Sequence, residues 1–232
     1  MGQWLKGVIY DSDGDLSPDG KHFIYSAANH RYHLSPNRPA TWTAISRPPY
    51  LKAIGFWSVH PNFGGGLFLD NRTFRLNSDR TWNSPEDVWP TDLVCSPDST
   101  LLKGLNGIQQ GCFFTRLQRD GWQVESKAVK KGEPDALAKS HNAWTLHQFS
   151  HADIIPPVGR GVYWQWFQAS NLPTGETLGD QSWEWADFDG NRLVWAQGGK
   201  LYATKIWDGG HGDIIELADF NDWTFKTVKA PY

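Results

Sequence analysis

Short runs in which apolar and polar residues alternate recur along the chain, each closed by a turn-forming cluster, and a period of two marks half-buried strands. Lys21-His22-Phe23-Ile24-Tyr25-Ser26 follows the turn Ser17-Pro18-Asp19-Gly20. Gly66-Leu67-Phe68-Leu69 runs into Asp70-Asn71, and Thr73-Phe74-Arg75-Leu76-Asn77 returns. Residues 192–196 and 200–204 meet across Gln197-Gly198-Gly199, which predicts a hairpin. Residues 111–117 are expected to pair with 122–125 across Asp120-Gly121, and residues 161–167 form a further strand. Helix formers with an acidic start at Pro134-Asp135-Ala136-Leu137-Ala138-Lys139 mark 130–150 as the one stretch suited to a helix or a loop.

Composition sharpens this picture. The 14 tryptophans, 12 phenylalanines and 7 tyrosines suit pleated surfaces, and the 23 glycines and 14 prolines suit tight turns. The expectation is one all-β domain over residues 1–232. A formal charge of −3 gives no positive field for nucleic acid or an anionic membrane, so neither is expected as a partner. No apolar run reaches the length of a membrane span, and the residues after Met1 lack the apolar core of a signal peptide, which gives a cytoplasmic expectation. Cys95 and Cys112 are too few for a disulfide framework and are expected as buried thiols.

An Asp-led turn followed by a strand recurs at Ser17-Pro18-Asp19-Gly20, Ser96-Pro97-Asp98-Ser99 and Asp187-Phe188-Asp189-Gly190. The spacings, 98 − 19 = 79 and 189 − 98 = 91, are each near two propeller blades of about 40–45 residues. The stretch Ser17–Tyr25 resembles the blade signature of bacterial TolB-like and WD40-like β-propeller repeats. Trp207-Asp208 is a lone dipeptide and the tandem WD40 set is absent. The resemblance implies a small β-propeller of about five four-stranded blades; a β-sandwich made of the same hairpins is the alternative. It implies a fold, not an activity.

Four groups carry candidate chemistry. Asp11, Asp13, Asp15 and Asp19 occupy positions 1, 3, 5 and 9 of a calcium-type loop, but Leu16 stands where glycine is expected and His22 where a bidentate glutamate is expected. No cofactor is therefore expected, with calcium as the alternative. His147, His151 and Asp153 could supply three zinc ligands, the spacing placing both histidines on one face of either a helix or a strand, and His30 with His33 repeats the pattern more weakly. Pro48-Pro49 stiffens the segment 44–57, presenting Arg47, Tyr50, Lys52 and Trp57 for recognition. Trp164 and Trp166, like Trp183 and Trp185, are expected to project in pairs to one strand face, against a ligand or a neighbouring sheet. Gly64-Gly65-Gly66 lacks the lysine of a phosphate loop and marks close backbone approach. No nucleophile elbow or dinucleotide fingerprint occurs. The expected function is non-enzymatic binding of a protein or peptide partner; a carbohydrate-binding propeller and a glycoside hydrolase using paired carboxylates are the alternatives.

Overall fold

The structure is a computed structural model that describes residues 2–29, 40–59, 64–77, 87–97, 111–130, 132–153 and 155–232. The chain is all-β, in mostly antiparallel sheets that follow one another along the sequence, and among the described residues none closes into a barrel. It divides into two compact units: Met1–Leu117 together with Phe225–Tyr232, and Gln118–Thr224. The chain thus leaves the first unit and returns to it for its last segment.

In the first unit, β1 (Val8–Leu16), β2 (Phe23–Ala28), β3 (Thr41–Ser46) and β4 (Ala53–Ser58) form an antiparallel meander. The β1–β2 connection is the expected Ser-Pro-Asp-Gly turn: Gly20 N–H donates to Ser17 O at 2.7 Å and Gly20 adopts a left-handed φ of 68°. A second sheet holds β5 (Gly66–Phe68), β6 (Thr73–Leu76) and the short parallel β7 (Val94–Cys95). Its hairpin is closed by Asp70, whose carboxylate accepts the N–H groups of Arg72 and Thr73 at 2.8 Å each. Alternation along β2 sends Ile24 into one core and Tyr25 into another. Ile24 packs with Ile45, Trp57, Phe68, Phe74, Leu76 and Leu93, joining the two sheets. Tyr25, Ala27 and Ala44 pack on the opposite face with Leu5, Phe23 and Leu51.

Residues 111–117 are helical, contrary to the strand expectation: α1 spans Gly111–Arg119. Cys112, Phe113 and Phe114 are buried in succession, which a helix permits at its core face and an alternating strand does not. Gly121, at φ 94°, ends the helix with its N–H on Gln118 O, so Asp120-Gly121 is a helix terminus and not a hairpin tip.

In the second unit, β8 (Gln123–Ser126), β9 (Asp135–His141), β10 (Trp144–Ala152), β11 (Tyr163–Asn171) and β12 (Thr177–Leu178) form a five-stranded meander. In place of the helix or loop expected near 130–150 the chain forms two strands, β9 and β10. Asn142, in a left-handed φ of 52°, turns the chain between them, and pairing of β9 on both edges overrides its helix formers. The last sheet holds β13 (Trp185–Asp189), β14 (Arg192–Gln197), β15 (Lys200–Trp207), β16 (Gly210–His211) and β17 (Ile215–Asp219). The expected hairpin forms, but Gln197 pairs with Lys200, so the turn is the two residues Gly198 and Gly199, both with left-handed φ, instead of Gln197-Gly198-Gly199. The repeat unit at Asp98 lies outside the described residues. Among the described residues no helix is long and apolar enough to cross a membrane.

Candidate binding corner

The connection from β3 to β4 carries Arg47, Pro48, Pro49, Tyr50 and Lys52, and the Pro48–Pro49 peptide bond is cis. Gln3 fixes this corner from one side: its N–H donates to Pro49 O at 2.9 Å and its side-chain oxygen accepts Leu51 N–H at 2.7 Å. Tyr25, 2% exposed, supports it from below, its hydroxyl donating to Leu51 O at 2.8 Å. Burial pushes the Tyr25 phenol up to about 12, with the Tyr232 phenol nearby adding to the effect.

The corner already holds an aromatic side chain, that of Tyr232. The Arg47 guanidinium and the Lys52 ammonium each lie 5.3 Å from the Tyr232 ring centroid, within cation–π range. Tyr50 meets the same ring edge-on, with centroids 6.2 Å apart. The Tyr232 hydroxyl accepts the Arg47 N–H at 3.0 Å and donates to Lys52 O at 3.0 Å, with Arg47 O at 3.4 Å. Lys52 Nζ also donates to the main-chain oxygen of Tyr232. Upstream, Gln3 Nε2 donates to Val228 O at 2.9 Å, Trp4 packs edge-on against Phe225, and Ala230 is buried. Residues 223–229 are otherwise mostly exposed and form no strand, so the segment is pinned at a few points instead of along a ladder.

Asp92 orients the corner's arginine, with Arg47 Nη2 at 3.2 Å from its carboxylate. His22 lies 3.9 Å from the same carboxylate, yet burial outweighs that charge and lowers the imidazole pKa. Trp57, expected with this group, is instead 3% exposed and packs against Phe74 at 5.5 Å. It is a core residue because β4 turns it inward, toward β6. Pattern reasoning found Arg47, Tyr50 and Lys52 but missed Tyr232, Gln3 and Asp92, which no local motif announces.

The second unit brings Trp164 and Trp166 to one half-buried face, as their spacing predicts. Each ring is stacked: Trp164 on His151 at 3.9 Å and Trp166 on Phe149 at 4.1 Å. The Trp164 indole N–H donates to Asp153 at 2.9 Å, and Arg160 lies 5.5 Å from its ring. His147 and His151 do share this face, but His147 pairs with Glu125 at 3.0 Å and His151 with Asp153 at 3.8 Å. Burial lowers the His151 pKa. Trp183 and Trp185 do not project together. Trp183 precedes β13 in a turn from Asp180 and is buried against Trp195, whereas Trp185 is exposed.

The acidic stretch is a strand, not a loop. Asp11, Asp13 and Asp15 lie in β1, and Asp19 stands in the following turn. Asp15 accepts Phe68 N–H at 2.8 Å, while Asp19 accepts the Ser17 hydroxyl at 2.7 Å and pairs with Lys21 at 3.0 Å, which holds it at about 2. Asp13 is pushed up to about 7, chiefly by burial and then by the Asp11 charge, with Arg116 opposing. Arg116, from α1, donates to Gly14 O. A Cβ on Gly65, at φ 72°, would stand 1.8 Å from Asp13 O, so the triple glycine does mark close backbone approach. Cys112 is buried, its thiol pushed up by burial, and Cys95 is half-buried. Among the described residues no group of three His, Cys, Asp or Glu is placed to hold a metal ion; His30 and His33 lie outside them. No protein-family model and no curated protein matches the chain.

Proposed function

We propose that the protein is a non-enzymatic binding module of β-propeller type whose β3–β4 corner receives an aromatic residue of a peptide or protein partner. One observation carries the reading: the residues suited to recognition, Arg47, Tyr50 and Lys52, surround the side chain of Tyr232, a peptide residue from the far end of the chain. A rigid corner with two cations and an aromatic edge loses little entropy on receiving such a ring. The propeller architecture is supported by meander sheets in chain order and by the return of Phe225–Tyr232 to the unit that holds the first strands. A carbohydrate ligand has weaker support, since Trp164 and Trp166 each already have a ring stacked against them. Glycoside hydrolysis has weaker support too, because Asp11, Asp13 and Asp15 share one strand instead of facing each other across a gap.

The test uses a fluorescent octapeptide with the sequence of Phe225–Tyr232, added to the full-length Tyr232→Ala variant and followed by anisotropy. Saturable binding is expected, and Arg47→Ala with Lys52→Ala in the same background weakens it at least about tenfold, the loss of about 1.4 kcal/mol that two cation–π contacts account for. Absence of saturable binding, or binding indifferent to both substitutions, overturns the reading.

A further inference from the structure

We infer that the corner selects an unmodified tyrosine side chain and that Tyr232 is its built-in competitor; the inference rests on the binding reading above. The selectivity follows from where the polar contacts fall. The phenol oxygen meets a main-chain donor, Arg47 N–H, and a main-chain acceptor, Lys52 O, each at 3.0 Å, so a hydroxyl satisfies both at once. A phenylalanine ring keeps the cation–π and edge contacts but strands that donor and acceptor. A phosphotyrosine fares worse. Its dianion would lie against the carbonyl oxygens of Lys52 and Arg47, while the two cations lie over the ring and Arg47 is paired with Asp92.

The competitor role follows from how the segment is held. Residues 223–229 are mostly exposed and lack ladder bonds, so the Tyr232 ring can leave the corner without unzipping a sheet. A partner's tyrosine then takes the same contacts, and apparent affinity is reduced by the fraction of time the corner is occupied from within.

Three probes test this by ligand-observed NMR: N-acetyltyrosinamide, N-acetylphenylalaninamide and N-acetyl-O-phosphotyrosinamide. On full-length Tyr232→Ala the tyrosine probe binds about tenfold more tightly than the phenylalanine probe, the factor that one well-made hydrogen bond supplies, and the phosphorylated probe does not bind. Wild type binds the tyrosine probe at least about tenfold more weakly than the variant. Tyr232→Phe keeps the ring and its packing, and its affinity for the tyrosine probe falls between the two. Equal binding of all three probes, binding of none, or a wild-type affinity equal to that of both variants overturns the inference. If the octapeptide binds while the probes are not discriminated, selectivity fails and the binding reading stands. If the octapeptide does not bind, the reading itself fails.

Discussion

Asp13→Asn is expected to stabilise the protein at pH 8 by up to about 4 kcal/mol, the free-energy equivalent of a carboxyl whose pKa moves from its ordinary value to about 7 on folding. The sign follows from proton binding. Below about pH 4 the carboxyl is protonated in both states and adds no pH dependence. Between about pH 4 and pH 7 the unfolded chain gives up the proton while the folded chain retains it, so wild-type stability falls as pH rises. Above pH 7 the folded protein carries a half-buried carboxylate beside Asp11, with Arg116 only partly offsetting it. Asparagine never ionises. Urea unfolding at pH 4.5, 6 and 8 should therefore show a wild-type decline that Asp13→Asn lacks. Parallel pH profiles for the two proteins would remove the claim that Asp13 is ionised at a cost.

Trp144→Ala is expected to destabilise the second unit by about 3–5 kcal/mol, the usual range for emptying a fully buried indole site. Trp144 is 0% exposed at the start of β10, and its indole N–H donates to Trp207 O at 2.9 Å, tying the five-stranded meander to β15. Asn171 Nδ2 reaches Trp207 O at 3.4 Å and Asp208 O at 3.2 Å, so these polar ties survive the substitution. Trp144→Phe keeps most of the packing and loses the N–H, for about 1–2 kcal/mol. Urea midpoints read by circular dichroism check both. A loss below about 1 kcal/mol for the alanine variant would mean that the site collapses freely and that the indole is not a keystone of that core.

Much of the β architecture was legible because turns are local. Asp70, Gly190, Gly198 and Gly199 occupy the conformations that their residue types favour, and the strands on either side follow. Two stretches misled because local preference and tertiary pairing disagree. Cys112-Phe113-Phe114 has strand-like composition but forms a helix that buries three consecutive residues. Ala136-Leu137-Ala138 has helix-like composition but is paired on both edges in β9. The acidic segment misled in a third way: its spacing resembles an ion loop, yet Asp11, Asp13 and Asp15 lie along β1, with the register to β2 broken between Tyr10 and Asp15.

The site was half legible. Arg47, Tyr50 and Lys52 stand out beside a stiff Pro-Pro step, whereas Trp57 two residues after Gly55 faces inward, which the pattern of 53–58 alone does not reveal. The occupant of the corner was invisible, because Arg47 and Tyr232 are 185 residues apart and no periodicity links them. Only the return of the final segment to the first unit joins them.

The most direct measurement follows the Tyr232 ring itself. With a single fluorine on that ring, the ¹⁹F resonance of the full-length protein reports the environment between Arg47, Tyr50 and Lys52. An excess of unlabelled octapeptide should shift it toward the position seen in urea, while the backbone spectrum of β1 to β4 stays native. A resonance that never moves, at peptide concentrations that saturate the Tyr232→Ala variant, would mean that the corner is a fixed structural joint and not a receptor.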